Sequence, residues 1–103
     1  MAAAGRGHPP IDWDSLTFSF TETDRMFVAN GSWEDGWSEG RMVDFQPLNL
    51  SPAACVLNYG QGLFEGMKAR RTPDGKITLF RPEMNARRAA EGARRLVMPE
   101  VSE

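Results

Sequence analysis

Aromatic and polar residues alternate from 13 to 20 (WDSLTFSF), and a short apolar run, Met26, Phe27 and Val28, lies within residues 25–30 (RMFVAN). Both segments read as β-strands, the first by its period of two. Asn30-Gly31 and Asp35-Gly36 are turn dipeptides, so residues 25–42 are predicted to form short antiparallel strands joined by tight turns. Pro47 and Pro52 bracket LNLS, an extended segment with Leu48 and Leu50 on one face, and residues 53–60 (AACVLNYG) suit a short helix. LFEGMKARR at 63–71 reads as a strand with Phe64, Gly66 and Lys68 facing one way and Leu63, Glu65 and Met67 the other. Thr72-Pro73-Asp74-Gly75 carries the proline and glycine of a tight turn, and residues 76–80 return as the partner strand.

At Pro82 the period changes. Proline suits the first helical turn, where its missing N–H has no intrahelical partner. Beyond it Ala86, Ala89, Ala90, Ala93, Leu96 and Val97 recur at helical spacing, and Pro99 stops the pattern. The order predicts an α+β domain: a small antiparallel sheet packed by an amphipathic C-terminal helix. Residues 1–11 are small and Gly/Pro-rich and read as a disordered tail, leaving residues 12–103 as one domain.

Composition narrows the chemistry. With 41% apolar and 25% charged residues and a net charge of −2, the chain resembles an ordinary soluble domain with one core, and no apolar run is long enough to span a membrane. Cys55 is the only cysteine and His8 the only histidine, which excludes a disulfide framework, a Cys/His zinc site and a Ser-His-Asp triad. Residues 1–50 hold three arginines against eight acids, whereas residues 51–103 hold nine bases against six acids. The basic half is mostly helix: Glu83 and Arg87, and Glu91 and Arg95, stand four apart with the acid first, the arrangement of a solvated, salt-laced helix face. It lacks the interleaved aromatics of a nucleic-acid stacking surface.

Arg81 falls where a strand ends and a helix begins. Free N–H groups and the helix dipole favour an anion there, and a guanidinium adds a bidentate clamp for phosphate or carboxylate. Phe18, Tyr59 and Phe64 are aromatics beside polar or glycine neighbours, a setting in which core filling is the commoner role. The glycines at 60, 62 and 66 miss the dinucleotide-binding spacing.

The string NYGQGLFEGMKA at 58–69, with FRPEMNARR at 80–88, LSPAACVLNYG at 50–60, WD at 13–14 and TD at 23–24, resembles branched-chain amino acid aminotransferases, most nearly those of plants. The resemblance runs from about residue 12 onward and implies the small domain of a fold-type IV pyridoxal-phosphate enzyme. By that resemblance Arg81 binds the phosphate of pyridoxal 5'-phosphate, while Phe18, Tyr59 and Phe64 line the pocket for the substrate side chain. The implied reaction moves an amino group between leucine, isoleucine or valine and 2-oxoglutarate. The family's Schiff-base lysine and the glutamate that meets the pyridine nitrogen are expected downstream of residue 103. Lys68 matches a strand position, so no catalytic residue is assigned in this chain. Glu22 departs from the proline or apolar residue usual before the TD pair.

The expectation is therefore an amino-terminal segment inactive by itself. The alternative is a non-catalytic small-domain module that associates with a full-length partner, since family members are homodimers. An RNA-binding domain is the weakest reading, and neither nucleic acid nor membrane is an expected partner. The cytosol is the expected compartment because few residues precede the first match, with the chloroplast as alternative.

Overall fold

A computed structural model describes residues 10–102, so the predicted tail lies almost wholly outside the described residues. Among the described residues two compact units are distinguished: residues 10–31 with Trp37–Asn49, and Ser32–Gly36 with residues 50–102.

In the first unit Asp12 caps a 3₁₀ turn, Trp13–Ser15, by accepting the Asp14 N–H. The predicted strand over 13–20 is not formed, because the Asp12 carboxylate turns the chain at once and local hydroxyl contacts (Thr17 with Ser19, 2.7 Å) continue the bend. Strand β1 (Arg25–Val28) forms as predicted, and it pairs antiparallel with β4 (Arg41–Asp44), setting Arg25 opposite Asp44 and Phe27 opposite Met42. In chain order between them β2 (Gly31–Ser32) pairs with β3 (Gly36–Trp37), a ribbon whose residues Ser32–Gly36 are grouped with the second unit. The positive φ this ribbon needs is supplied at Gly36 (71°), so Asp35-Gly36 is its turn while Asn30-Gly31 opens β2. Gly40 (φ 76°) brings the chain back under Phe27: a Cβ there would stand 2.4 Å from the ring. The Phe20 and Phe45 rings meet at 5.6 Å, tilted 43°. The residues around LNLS are not part of a strand.

In the second unit a single turn of helix α1 (Cys55–Asn58) leads into residues 59–68, which carry no regular secondary structure. Strand β5 is only Ala69–Arg71, pairing antiparallel with β6 (Ile77–Leu79). The turn between them is as read: Gly75 N–H donates to the Thr72 carbonyl at 2.9 Å, with Gly75 at φ 84°. Helix α2, Pro82–Arg95, has proline in its first turn, Glu83 facing the positive end of its dipole and Arg94 and Arg95 at the negative end. It ends in a Schellman motif: the Met98 N–H reaches the Ala93 carbonyl at 2.8 Å and the Val97 N–H reaches Arg94 at 3.2 Å. The left-handed residue there is Val97 (φ 53°), so it leaves the apolar stripe to which its spacing assigns it and is exposed.

The α+β class with short antiparallel sheets and a C-terminal helix stands. The expected core does not. Among the described residues only Ala90 and Ala93 are buried, and most large apolar side chains face outward. Among the described residues no helix is long and apolar enough to cross a membrane.

Candidate functional site

Arg81 is the residue that launches α2, and its backbone is unusual. It sits at φ 44°, ψ 56°, the left-handed region, as the helix N-cap. For a residue with a Cβ this conformation costs of order 1–3 kcal/mol, and such outliers concentrate at functional positions. No side chain caps the helix start. The guanidinium instead meets Glu83, Nε to Oε1 at 3.3 Å, and both side chains are exposed. That pairing is soft, so a ligand anion can exchange with the Glu83 carboxylate while the first-turn N–H groups stay in place.

The predicted aromatics are not core residues. Tyr59 closes α1, its N–H bonded to the Cys55 carbonyl at 2.9 Å. Its side chain is 84% exposed, and Phe64 and Phe18 are exposed at 94% and 111%. Phe18 belongs to the first unit, the other three to the second. Among the described residues no hydrogen bond, ion pair or ring contact joins Tyr59, Phe64 and Arg81.

What organises this region is a set of polar residues that no motif in the sequence singles out. Arg88 grips the Glu65 carboxylate with two hydrogen bonds, Nε to Oε1 and Nη2 to Oε2, each 2.7 Å. Asn85 Nδ2 donates to Glu65 Oε2 (2.8 Å) and to the Gly66 carbonyl (2.7 Å). Hydrogen bonding from Arg88, then Asn85 and the guanidinium charge, hold the Glu65 carboxyl down at about 2, and the same contact raises Arg88. Further along, Gln61 Nε2 donates to the Leu96 carbonyl (2.8 Å) and the Val97 carbonyl (3.2 Å), closing the C-terminal end of α2. Leu63 lies opposite Gly92, where an added Cβ would meet Leu63 Cδ2 at 3.4 Å.

Residues 61–66 therefore run antiparallel along α2. Part of the predicted alternation survives at 63–65: Leu63 and Glu65 meet the helix and Phe64 is exposed, with α2 in place of a strand as neighbour. Signals for these contacts existed only in part. Asn85 and Arg88 stand three apart on one helix face, but nothing local ties them to Glu65, 23 residues from Arg88.

Two grooves border this region. One of about 350 Å³ is walled by Phe64, Glu65, Arg88 and Gly92 among others. The other, about 510 Å³, is lined by Lys68, Arg70, Phe80 and Asn85 among others, and none of the predicted site residues reaches it.

No family model matches the chain. It is 49% identical over 89 residues to a methionine aminotransferase of Arabidopsis thaliana, covering 86% of this chain and 25% of that protein. To the chloroplastic branched-chain-amino-acid aminotransferase 5 of the same plant it is 51% identical over 89 residues, covering 86% of the chain and 21% of the relative. A branched-chain-amino-acid aminotransferase of Haemophilus influenzae is 46% identical over 92 residues, covering 88% of the chain and 26% of the relative. The chain thus spans about a quarter of the length of the curated relatives it matches.

Proposed function

We propose that this chain, whose sequence matches one quarter of the branched-chain amino acid aminotransferases along most of its own length, is the small domain of such an enzyme and supplies its phosphate anchor and part of its side-chain wall. The observation that carries the reading is Arg81, a left-handed arginine at an uncapped helix start within FRPEMNARR.

The residues suit the phosphate of pyridoxal 5'-phosphate. Arg81 offers paired donors, the first turn of α2 offers the positive end of a dipole, and Glu83 is the carboxylate that the phosphate would displace. When bound, the cofactor acts as an electron sink that acidifies the α-proton of an amino acid. Arg81 would fix the cofactor's position, and the chain's two lysines would move no proton: Lys76 pairs with Asp74 at 3.2 Å, and Lys68 borders the other groove. Phe64 and Tyr59 would face the substrate's aliphatic side chain, whose burial contributes about 0.8 kcal/mol per CH₂. Phe18 is proposed for that wall on the resemblance alone. The exposed aromatics are supporting evidence, because such surface awaits a ligand or further protein. The substrates are aliphatic amino acids and 2-oxo acids. One relative is named for methionine, so a thioether side chain is tested beside leucine, isoleucine and valine. The cytosol and the plastid are the proposed compartments, the latter because relatives are named chloroplastic.

The test is a phosphate titration followed by amide chemical shifts over residues 81–85. Shifts should saturate and should vanish in Arg81→Ala. Equal titration of both forms overturns the anchor. Transamination of leucine by the 103-residue chain itself would overturn the assignment of the catalytic lysine to another part of the enzyme.

A further inference from the structure

We propose that Arg88 and Asn85 are positioning residues: acting through Glu65 and Gly66, they fix the segment that carries Phe64, and α2 thereby sets the distance between the anion anchor at Arg81 and the side-chain wall at Phe64. The proposal rests on the reading of the previous subsection.

Phe64 is 94% exposed, so no packing of its ring holds it in place. Its position is set by the backbone from which it projects. The two residues that follow it are held by four hydrogen bonds, all from α2: two from Arg88 and one from Asn85 to Glu65, and one from Asn85 to the Gly66 carbonyl. Both hydrogens of the Asn85 amide are used, and the Glu65 side chain, 24% exposed, accepts three of the bonds. Exposed ion pairs add little stability, and what a planar fork on a carboxylate contributes is orientation.

The helix links this clamp to the anchor. Asn85 follows Arg81 by four residues and Arg88 follows Asn85 by three, a spacing that keeps all of them on one side of α2. At ~1.5 Å per residue the clamp lies about 6–10 Å along the axis from the anchor. A substrate bound to a cofactor held at Arg81 would thus meet Phe64 at a distance fixed by a rigid element. Loosening the clamp should blur the discrimination by side-chain size and leave the anchor intact.

The experiment places Arg88→Lys, which keeps the charge and loses the fork, and Asn85→Ala, which keeps the ion pair, in the full-length protein. Backbone 15N order parameters of residues 64–66 and kcat/KM for leucine against alanine are read in each. The order parameters should fall from the rigid range toward about 0.6. The leucine-to-alanine ratio should fall about tenfold, mainly through the KM for leucine, with pyridoxal-phosphate affinity unchanged. The paired exchange Glu65→Arg with Arg88→Glu should recover part of both effects. Wild-type order parameters in both variants overturn the proposal, as do lowered order parameters with an unchanged ratio. If the wild type transaminates neither substrate, it is the proposed function that fails. The order parameters at 64–66 then still decide whether Arg88 and Asn85 hold the segment.

Discussion

Replacing Arg81 by glycine should make the domain more stable and at the same time remove its anion site. Arg81 holds φ 44°, and for a residue with a Cβ the left-handed conformation costs roughly 1–2 kcal/mol, which glycine avoids. Against that relief stands the greater freedom of glycine in the unfolded chain, roughly 0.5–1 kcal/mol. The lost pair with Glu83 is exposed, worth a few tenths of a kcal/mol at most, and is offset by removing a cation from the positive end of α2. The balance is a gain of about 0.5–1 kcal/mol, or a few degrees in Tm for a domain of this size. Val97 supplies the comparison, with φ 53°, no anion role and a side chain 70% exposed. Val97→Gly should raise Tm similarly and leave phosphate binding intact, whereas Arg81→Gly should raise it and lose the phosphate response. Alanine at either position keeps the strain and should not stabilise. Thermal melts by circular dichroism, with the phosphate titration on each variant, read both quantities. A Tm lowered equally by glycine and alanine at residue 81 would refute the strain argument, and an unchanged titration would refute the anchor.

Gly40→Ala should destabilise the first unit by of order 1–3 kcal/mol, since the new Cβ combines a φ of 76° with contacts at 2.4 Å to Phe27 and 3.1 Å to the Val28 carbonyl; chemical denaturation followed by tryptophan fluorescence measures it. Acid should release the clamp late. Because the Glu65 carboxyl is lowered in the fold from 4.5 to about 2, its contribution is complete above the unfolded value and disappears as pH falls through the folded one. The ordering of residues 64–66, read as backbone 15N order parameters, should accordingly persist at pH 4 and be lost near pH 2. Asp74, held below the usual carboxylate range by Thr72 and then Lys76, should titrate below an ordinary aspartate; carboxyl carbon shifts report both groups.

Local chemistry made much of the fold legible in the sequence. Pro82 and the spaced alanines announce α2, Thr72 to Gly75 announce the β5–β6 turn, and Met26 to Val28 announce β1. Where reading failed, the deciding contact was either too local or too distant for periodicity. Asp12 bends residues 13–15 into a turn despite the alternation, and Val97 takes the left-handed closing position that spacing cannot reveal. Arg81 was legible because its chemistry and its place at a helix start coincide. Glu65, Asn85 and Arg88 were not, since a charge on a helix face looks the same whether water or a remote carboxylate answers it. The expected core failed for another reason: apolar residues at strand and helix spacing show which face would be covered, not whether this stretch of chain covers it.

The segment over 61–66 has no regular structure by hydrogen-bond pattern, yet its length is as constrained as that of a strand. Gln61 meets Leu96 and Gly66 meets Asn85. Extended chain advances ~3.3 Å per residue and helix ~1.5 Å, so both paths measure about 17 Å. The two rulers are commensurate, with about two helical residues to each residue of the segment. Inserting or deleting one residue between Gln61 and Gly66 would slide the facing partner by two helical positions, about 200° around α2. Surface loops ordinarily absorb such changes. Here side chains can be substituted, but a change in the count breaks the register with α2.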